Sequence, residues 1–263
     1  MTLTMDHDET EHTWELVITL PEVLAVMTLT RTHFWPGVPE FSKQSPDEIE
    51  LLTEHGFKSL IQKNIIYLNE QGIPFLHSTV NYLLNTVKFP HKFFSLMSTN
   101  GTRLLFVTPE SILEQELTAG GEICWRVLQN LDLLFGRAQE FLGINCSSHS
   151  DGSRYEILNS TIDQTRQTKV EALIDDELSG KQISGQLASQ IKEMILTEKT
   201  PNGVIEHNSI NPAEIVSQII WLSTNEGLWL VGQTPAGREQ SNLVLESIPS
   251  DILQKRVAEI LQM

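Results

Sequence analysis

Two stretches of the chain carry the same turn: residues 96–107 read LMSTNGTRLLFV, and residues 221–231 read WLSTNEGLWLV. In both, Ser-Thr-Asn stands between two apolar runs. Asn-Gly at 100–101 supplies the positive φ angles of a tight hairpin turn, so we predict two antiparallel strands around it. Turns of this kind are common and can arise twice by chance. Their similar position in the two halves of the chain favours an internal duplication.

The order of predicted elements around these turns is also repeated. Each half reads as a strand, then helices, a hairpin and a closing helix. We therefore predict an α+β fold of two quasi-symmetric halves, with an antiparallel or mixed central sheet and helices packed on it. The predicted boundaries are a disordered tail at 1–12, a first half at 13–145, a linker at 146–153 and a second half at 154–263. The halves form either separate domains or one fused domain.

Capping boxes mark two helix starts. Thr19-Leu-Pro-Glu22 follows a predicted strand at 14–18 and opens a helix to Thr30, and Ser45-Pro-Asp-Glu48 opens a second helix that we expect Gly56 to end. Apolar spacing and turn residues place the remaining elements. They are helices at 73–87, 123–142, 165–178, 187–198, 212–220 and from 249 to the C-terminus, and strands at 64–68, 93–97, 103–107 and 154–158.

The charge balance excludes some classes of ligand. Asp and Glu number 34 and Lys and Arg 18, which leaves a net charge of -16. A phosphate-binding surface needs clustered cations, and no basic run is longer than a pair such as Lys255-Arg256. We therefore expect no nucleic acid and no anionic membrane as partner. The acidity supports solubility through self-repulsion or, alternatively, the capture of a basic protein.

The compartment follows from three further features. The first twelve residues are polar and acidic, unlike an export signal. No apolar stretch reaches the roughly 20 residues of a membrane-spanning helix. Cys124 and Cys146 are far apart in sequence and lack the spacing of zinc or redox sites. We expect a cytoplasmic protein with reduced thiols and no membrane insertion.

Known catalytic patterns are missing from the sequence. It holds no G-x-S-x-G, H-E-x-x-H, P-loop or G-x-G-x-x-G motif, and no two histidines lie four residues apart. The carboxylates of Asp175-Asp-Glu177 are neighbours on a predicted helix and point in different directions. We therefore predict no catalytic, metal-binding or cofactor-binding residues, no cofactor and no enzymatic activity.

The loop at 33–41 (HFWPGVPEF) is the candidate partner-binding segment. Two prolines and a glycine predict a loop, yet it carries three aromatic residues. Folded back, these would be core packing; left exposed, they would form an aromatic binding edge. The candidate binding residues are Phe34, Trp35, Val38 and Phe41.

The succession of elements resembles the EspG family, cytosolic proteins of ESX (type VII) secretion. The residues that carry the resemblance are the helix L-P-E-V-L after the first strand, the Pro-Gly loop, Leu51-Leu52-x-x-x-Gly56-Phe57, an apolar helix ending near Pro90, and the hairpin that follows. The resemblance implies a chaperone that binds the hydrophobic tip of helical PE/PPE pairs. It implies no catalytic residues. It also places partner binding in a sheet loop and a C-terminal helical region, without assigning individual positions.

Two functions fit these features. The first is a non-catalytic adaptor or secretion-associated chaperone that masks an apolar helical partner. The alternative is an acidic immunity-type protein that neutralises a basic toxin, whose binding would depend strongly on salt.

Overall fold

A computed structural model describes residues 14–32, 35–38, 41, 44–118, 120–144, 150–197, 202–210, 213–225, 227–234 and 242–262. The chain divides into two compact units. The first contains the described residues of Met1–Phe93 and Arg103–Leu134, and the second those of Phe94–Thr102 and Phe135–Met263. The predicted tail and residues 146–149 of the predicted linker lie outside the described residues, and the predicted domain boundaries stay a prediction.

Helices and strands follow each other in a similar order twice along the chain, and the first series contains two additional short strands, β2 and β3. The first series is β1 (Trp14–Thr19), α1 (Leu20–Thr30), α2 (Pro46–Gln62), β2 (Ile66–Leu68), β3 (Pro74–Leu76), α3 (Ser78–Lys88), β4 (Lys92–Ser98), β5 (Gly101–Val107), β6 (Ile112–Leu117), β7 (Glu122–Leu128) and α4 (Leu131–Phe141). The second series is β8 (Arg154–Leu158), α5 (Asn159–Thr168), α6 (Glu171–Gly180), α7 (Gly185–Thr197), β9 (Gly203–Ile210), β10 (Ala213–Thr224), β11 (Gly227–Gln233), β12 (Asn242–Ile248) and α8 (Ser250–Gln262).

The first unit packs three helices on an antiparallel sheet. Its strands lie in the order β1-β7-β6-β5. Side chains from α1, α2 and α3 join inward-facing sheet residues in one apolar core, because alternate strand residues point to the same face. Among its buried members are Val23, Leu60, Leu83, Phe106 and Trp125.

Helices α1 and α2 approach each other at Gly56. A Cβ atom at this position would overlap the backbone carbonyl of Pro21 in α1 and lie 2.9 Å from the amide nitrogen of Glu22. The prediction that Gly56 ends the helix is therefore wrong, since α2 continues to Gln62. Glycine stands here because the neighbouring backbone leaves no room for a side chain, a reason that is invisible along the chain.

The second unit has its own sheet and core. Its strands lie in the order β4-β9-β10-β11-β12-β8, and the neighbours from β9 to β8 are antiparallel. Helices α5, α6 and α7 contribute buried isoleucines and leucines that pack with residues of β10, β11 and β12. Buried members of this core include Ile174, Ile191, Leu222, Trp229 and Leu245.

The structure confirms the α+β class and the repeated order of elements. Apart from β2 and β3 of the first series, a strand, three helices, four strands and a helix occur twice. The first strand of each series pairs antiparallel with the last of its four, β1 with β7 and β8 with β12. The two Ser-Thr-Asn turns are not equivalent, however. The turn after Ser98 joins the first and second of four strands, whereas that at Asn225 joins the second and third. Their similarity is therefore coincidental, although the topology repeats.

Four predicted helices need correction. Residues 73–87 contain β3 and then α3, and residues 123–142 contain most of β7 and then α4. Residues 165–178 are broken at Lys169, whose left-handed backbone (φ 56°) separates α5 from α6. Residues 213–220 of the predicted helix 212–220 belong to β10. In β7 the buried residues Ile123–Trp125 form a continuous apolar run, which periodicity alone does not distinguish from buried helix.

Other local predictions are confirmed. Strands β1 and β8, the starts of α1 and α2, strands β4 and β5 around Asn100-Gly101, and the C-terminal helix α8 occur where the sequence predicts them. Within the described part of the chain, no helix has both the length and the apolar character needed to cross a membrane.

Candidate protein-interaction surfaces

The predicted aromatic binding loop is partly anchored in the core. Trp35 is 3% exposed and stacks on Trp125 of β7, with ring centroids 5.1 Å apart. Val38 packs against the same core, and Phe41 is half-buried. Phe34 lies outside the described residues. The structure thus favours the packing alternative for Trp35, and partner binding by these four residues stays a prediction.

One buried amide holds this loop in place. The Oε1 atom of Gln115 in β6 accepts hydrogen bonds from the indole nitrogens of Trp35 (3.0 Å) and Trp125 (2.9 Å). Its Nε2 atom donates to the carbonyl of Pro36 at 2.7 Å. Both indole donors and the amide are satisfied, as buried polar groups require. Gln115 therefore fixes the loop onto the sheet.

Among the described residues of the first unit, the most concentrated exposed apolar surface is a small two-stranded sheet. We use the name apolar hairpin for residues 66–76 (IYLNEQGIPFL). They contain β2, the turn that follows it and β3. Tyr67 and Phe75 are opposite each other across the strands and stack with centroids 5.7 Å apart. Tyr67 is 37%, Leu68 55%, Ile73 59% and Phe75 49% exposed. Four large apolar side chains therefore face solvent within eleven residues.

The two faces of the apolar hairpin have different surroundings. Ile66 pairs with Leu76, and both pack against the core of the first unit, with Ile66 only 1% exposed. Tyr67 and Phe75 point to the opposite side because successive strand residues alternate. Leu68 and Ile73 are exposed on either side of the turn. The hairpin is thus fixed by Ile66 and Leu76 and presents Tyr67 and Phe75 on the opposite side, with Leu68 and Ile73 at its turn end.

The turn of the apolar hairpin is tightly hydrogen-bonded. The Oδ1 atom of Asn69 accepts from the amides of Gln71 (3.0 Å) and Ile73 (2.8 Å), and the Asn69 amide donates to the carbonyl of Ile73 at 3.0 Å. Gly72 takes a positive φ of 74°, which glycine adopts without strain. Glu70, which is exposed, is the one charged residue of this segment. The apolar side chains are therefore presented from a pre-ordered turn with a negative charge beside them.

A second exposed apolar feature lies on β10 in the second unit. Ile215 opposes Asn208 and Ser217 opposes His207, so Val216 is an extra residue, a β-bulge. Ile215 is 54% and Val216 56% exposed. A bulge re-aims side chains, and here two successive apolar residues face solvent. This pair is smaller than the apolar hairpin and has no aromatic member.

Charged side chains on the sheet of the first unit are paired. Arg126 bonds Glu15 at 2.9 Å and Glu116 at 2.8 Å, and Arg103 bonds Glu114 at 2.8 Å. Burial acts to lower the pKa of Arg126, but the hydrogen bonds that it donates to Glu116 and Glu15 outweigh this effect and raise the pKa. These arginines connect strands β1, β5, β6 and β7, and their charges are compensated by carboxylates.

Cys124 has the properties of a structural thiol. It is buried on β7, and this burial raises its pKa to about 12. A thiol with such a pKa is protonated at neutral pH and is a poor nucleophile. Cys146 lies outside the described residues. Among the described side chains, no group of three His, Cys, Asp or Glu residues could hold a metal ion.

Sequence reasoning missed the apolar hairpin, although a signal for it was present. The sequence predicts a strand at 64–68 and a helix at 73–87, and this helix covers the residues that form β3. Pro74 suits an edge strand as well as the first turn of a helix. The informative pattern was a Gly-containing turn between two short apolar runs, Ile66–Leu68 and Ile73–Leu76.

Comparisons with known proteins support the architecture. No protein-family model and no curated protein matches the sequence. Among solved structures, the chain is similar to the Mycobacterium tuberculosis type VII secretion system chaperone EspG5, solved in complex with a PE25-PPE41 dimer. The match covers 92% of this chain and 93% of that chain, with a TM-score of 0.53 and 9% sequence identity. At this identity the similarity shows a shared fold, and the resemblance to EspG is confirmed at that level.

Proposed function

We propose that this protein is a non-catalytic type VII secretion chaperone or adaptor that binds a helical protein and covers its apolar surface. The observation that carries the proposal is the shared architecture over nearly the whole length of both chains. The similar protein is a chaperone, and it was solved with a PE–PPE-type dimer. We place the protein in the cytoplasm, where such substrates would be held before export.

Two properties of the chain support this role. The apolar hairpin exposes four large apolar side chains on a protein whose net charge is -16. Exposed apolar clusters of this kind are typical of protein-binding surfaces. A strongly acidic remainder would keep a complex with an apolar partner in solution.

Co-expression with PE–PPE-type helical pairs from the same genome tests the proposal. We expect one such pair to elute with this chain as a single ternary species in size-exclusion chromatography with light scattering. The pair alone should aggregate or elute as larger species, because its apolar tip would be uncovered. If every pair encoded near this chain elutes separately from it, the proposal is wrong.

The salt dependence of the complex separates this function from toxin neutralisation. A partner held by apolar burial should stay bound at high salt, because screening weakens charge pairs and leaves apolar contacts intact. A complex that dissociates in high salt and contains a basic partner would instead favour the immunity-type alternative. Measuring the affinity of the same purified complex at low and at high salt therefore distinguishes the two functions.

A further inference from the structure

We propose that the apolar hairpin, residues 66–76, is the docking surface, and that it inserts into an apolar groove between two helices of the partner, bordered by Lys or Arg. This inference names the surface for the function proposed above and takes from it the helical character of the partner. The choice of surface and the chemistry of the border come from the structure of the hairpin itself.

The presentation of the hairpin argues for a binding role. Its inner residues Ile66 and Leu76 pack in the core, and Asn69 holds the turn with four hydrogen bonds. Little conformational freedom is therefore lost when the outer side chains are covered, which favours affinity. Tyr67 and Phe75 are stacked on each other and form a rigid aromatic anchor, the kind of residue that dominates binding energy at interfaces.

The size of the surface argues against a second copy of this chain as the occupant. Four roughly half-exposed large side chains offer on the order of 300–400 Å² of apolar surface. A stable dimer needs about 800 Å² on each partner, so the hairpin alone covers less than half of it. Two copies would also bring together two chains of net charge -16, which repel each other. A different protein is the better occupant.

Charge complementarity defines the border of the partner groove. Residues 66–76 contain Glu70 and no Lys or Arg, and the chain as a whole is acidic. Acidic side chains at the border of the partner groove would be repelled by Glu70 and by the acidic chain, whereas Lys or Arg at the border would be attracted to them. An anionic membrane is disfavoured for the same reason, since its surface charge has the same sign as the protein.

Designed helical hairpins provide a defined probe. One has a groove of Leu and Ala bordered by Lys, and its counterpart is bordered by Glu. Fluorescence anisotropy with the full-length chain should show at least about tenfold tighter binding to the Lys-bordered probe. Failure to bind this probe, or equal binding of both probes, would overturn the inference.

Two matched double variants locate the contact. Ile73→Ser with Phe75→Ser removes two side chains of the hairpin, and Ile215→Ser with Val216→Ser removes two from β10 with nearly the same exposure. We expect the first variant to bind the Lys-bordered probe about tenfold more weakly or worse. The second should stay within about twofold of the parent. Thermal unfolding should be similar for both, because all four side chains are exposed. The inference is overturned if the hairpin variant binds like the parent, or if the β10 variant loses binding.

Further binding measurements separate the failure of this inference from the failure of the proposed function. If a PE–PPE-type pair elutes with the parent and equally with the hairpin variant, the docking surface is wrong and the function stands. If no such pair binds, yet the Lys-bordered probe binds through the hairpin, the function is wrong and the docking surface stands. Binding of the parent to vesicles of phosphatidylserine and phosphatidylcholine through the hairpin, without binding to the probe, would assign it to membranes and overturn the inference.

Discussion

Glu22 and Glu48 occupy the same position in two capping boxes but have different surroundings. Each accepts a hydrogen bond from the backbone amide of its N-cap residue, Thr19 at 2.7 Å and Ser45 at 2.8 Å. The Glu22 side chain is 0% exposed and also bonds Ser59 at 2.6 Å and Lys63 at 2.7 Å, whereas Glu48 is exposed. Ser59 and Lys63 follow Gly56 by three and seven residues, so both lie on the side of α2 that approaches α1, Lys63 directly after the last residue of the helix. We predict that Glu22→Gln destabilises the first unit much more than Glu48→Gln.

The magnitude follows from the buried charge. Removing one partner of a fully buried ion pair costs about 3–5 kcal/mol. Lys63 retains 41% side-chain exposure and can be hydrated when its partner is neutral, which reduces the cost. Gln can still accept from Thr19 but loses the charge-assisted bond to Lys63. We expect Glu22→Gln to lower the free energy of unfolding by about 2–3 kcal/mol, and Glu48→Gln to have a clearly smaller effect.

The pH dependence provides a second readout. Burial acts to raise the pKa of Glu22, but hydrogen bonds from Lys63, Ser59 and Thr19 and the Lys63 charge outweigh it, so the pKa lies below its ordinary value of 4.5. A carboxyl group whose pKa is lower in the folded state stabilises the protein at pH values above its unfolded-state pKa. This stabilisation is lost as the pH falls through the folded-state pKa. The difference between parent and Glu22→Gln should therefore be largest at neutral pH and shrink below about 4.5.

Urea unfolding followed by tryptophan fluorescence measures these differences. The parent, Glu22→Gln, Glu48→Gln, Lys63→Met and the double variant Glu22→Gln with Lys63→Met should be compared at neutral and acidic pH. We expect a coupling energy between Glu22 and Lys63 of at least about 1 kcal/mol. Equal losses for the two glutamate variants at neutral pH, or no coupling with Lys63, would refute the reasoning.

Three further predictions concern the helix crossing at Gly56, the anchor at Gln115 and the buried thiol of Cys124. Gly56→Ala should destabilise the protein by about 3 kcal/mol or more, because the new methyl group would overlap the backbone of α1. Gly136→Ala in α4, where a Cβ meets no atom within 4 Å, should instead stabilise it by about 0.5–1 kcal/mol. If thermal unfolding ranks the two variants in the opposite order, the close approach of α1 and α2 at Gly56 is wrong. Gln115→Leu should cost about 2–4 kcal/mol by leaving two buried indole donors without an acceptor, and an unchanged urea midpoint would argue against the anchor. In a Cys146→Ser background, Cys124 should react with iodoacetamide only after unfolding, as mass spectrometry can show; fast alkylation of the native protein would contradict its burial.

Much of the fold could be predicted because several elements carry local signals. Capping boxes at Thr19 and Ser45 depend on side chains that bond their own backbone within three residues, so the sequence alone reveals them. The turn at Asn100-Gly101 and the apolar periodicity of α8 are local in the same sense. The α+β class and the repeated order of elements followed from these signals together.

The candidate binding surface was harder to predict. Exposure of Tyr67, Ile73 and Phe75 is decided by which face of the hairpin packs on the core, and this depends on residues distant in sequence. Trp35 shows the opposite case. Its aromatic loop was compatible with core packing and with a binding edge, and an acceptor eighty residues away, Gln115, holds its indole nitrogen. Apolar composition alone does not tell whether a side chain is covered.

The sequence by itself determined the helix starts, the tight turns, the acidic charge and the absence of known catalytic motifs, because each depends on neighbouring residues or on composition. Tertiary structure decided the rest. It made β7 a strand where an apolar run suggested a helix, since a strand buried in a sheet has no alternating pattern. It made residues 213–220 a strand through their pairing with β9. It also placed Gly56 inside a helix, because the backbone of another helix passes where a side chain would be. These outcomes depend on contacts between distant segments, which local sequence does not specify.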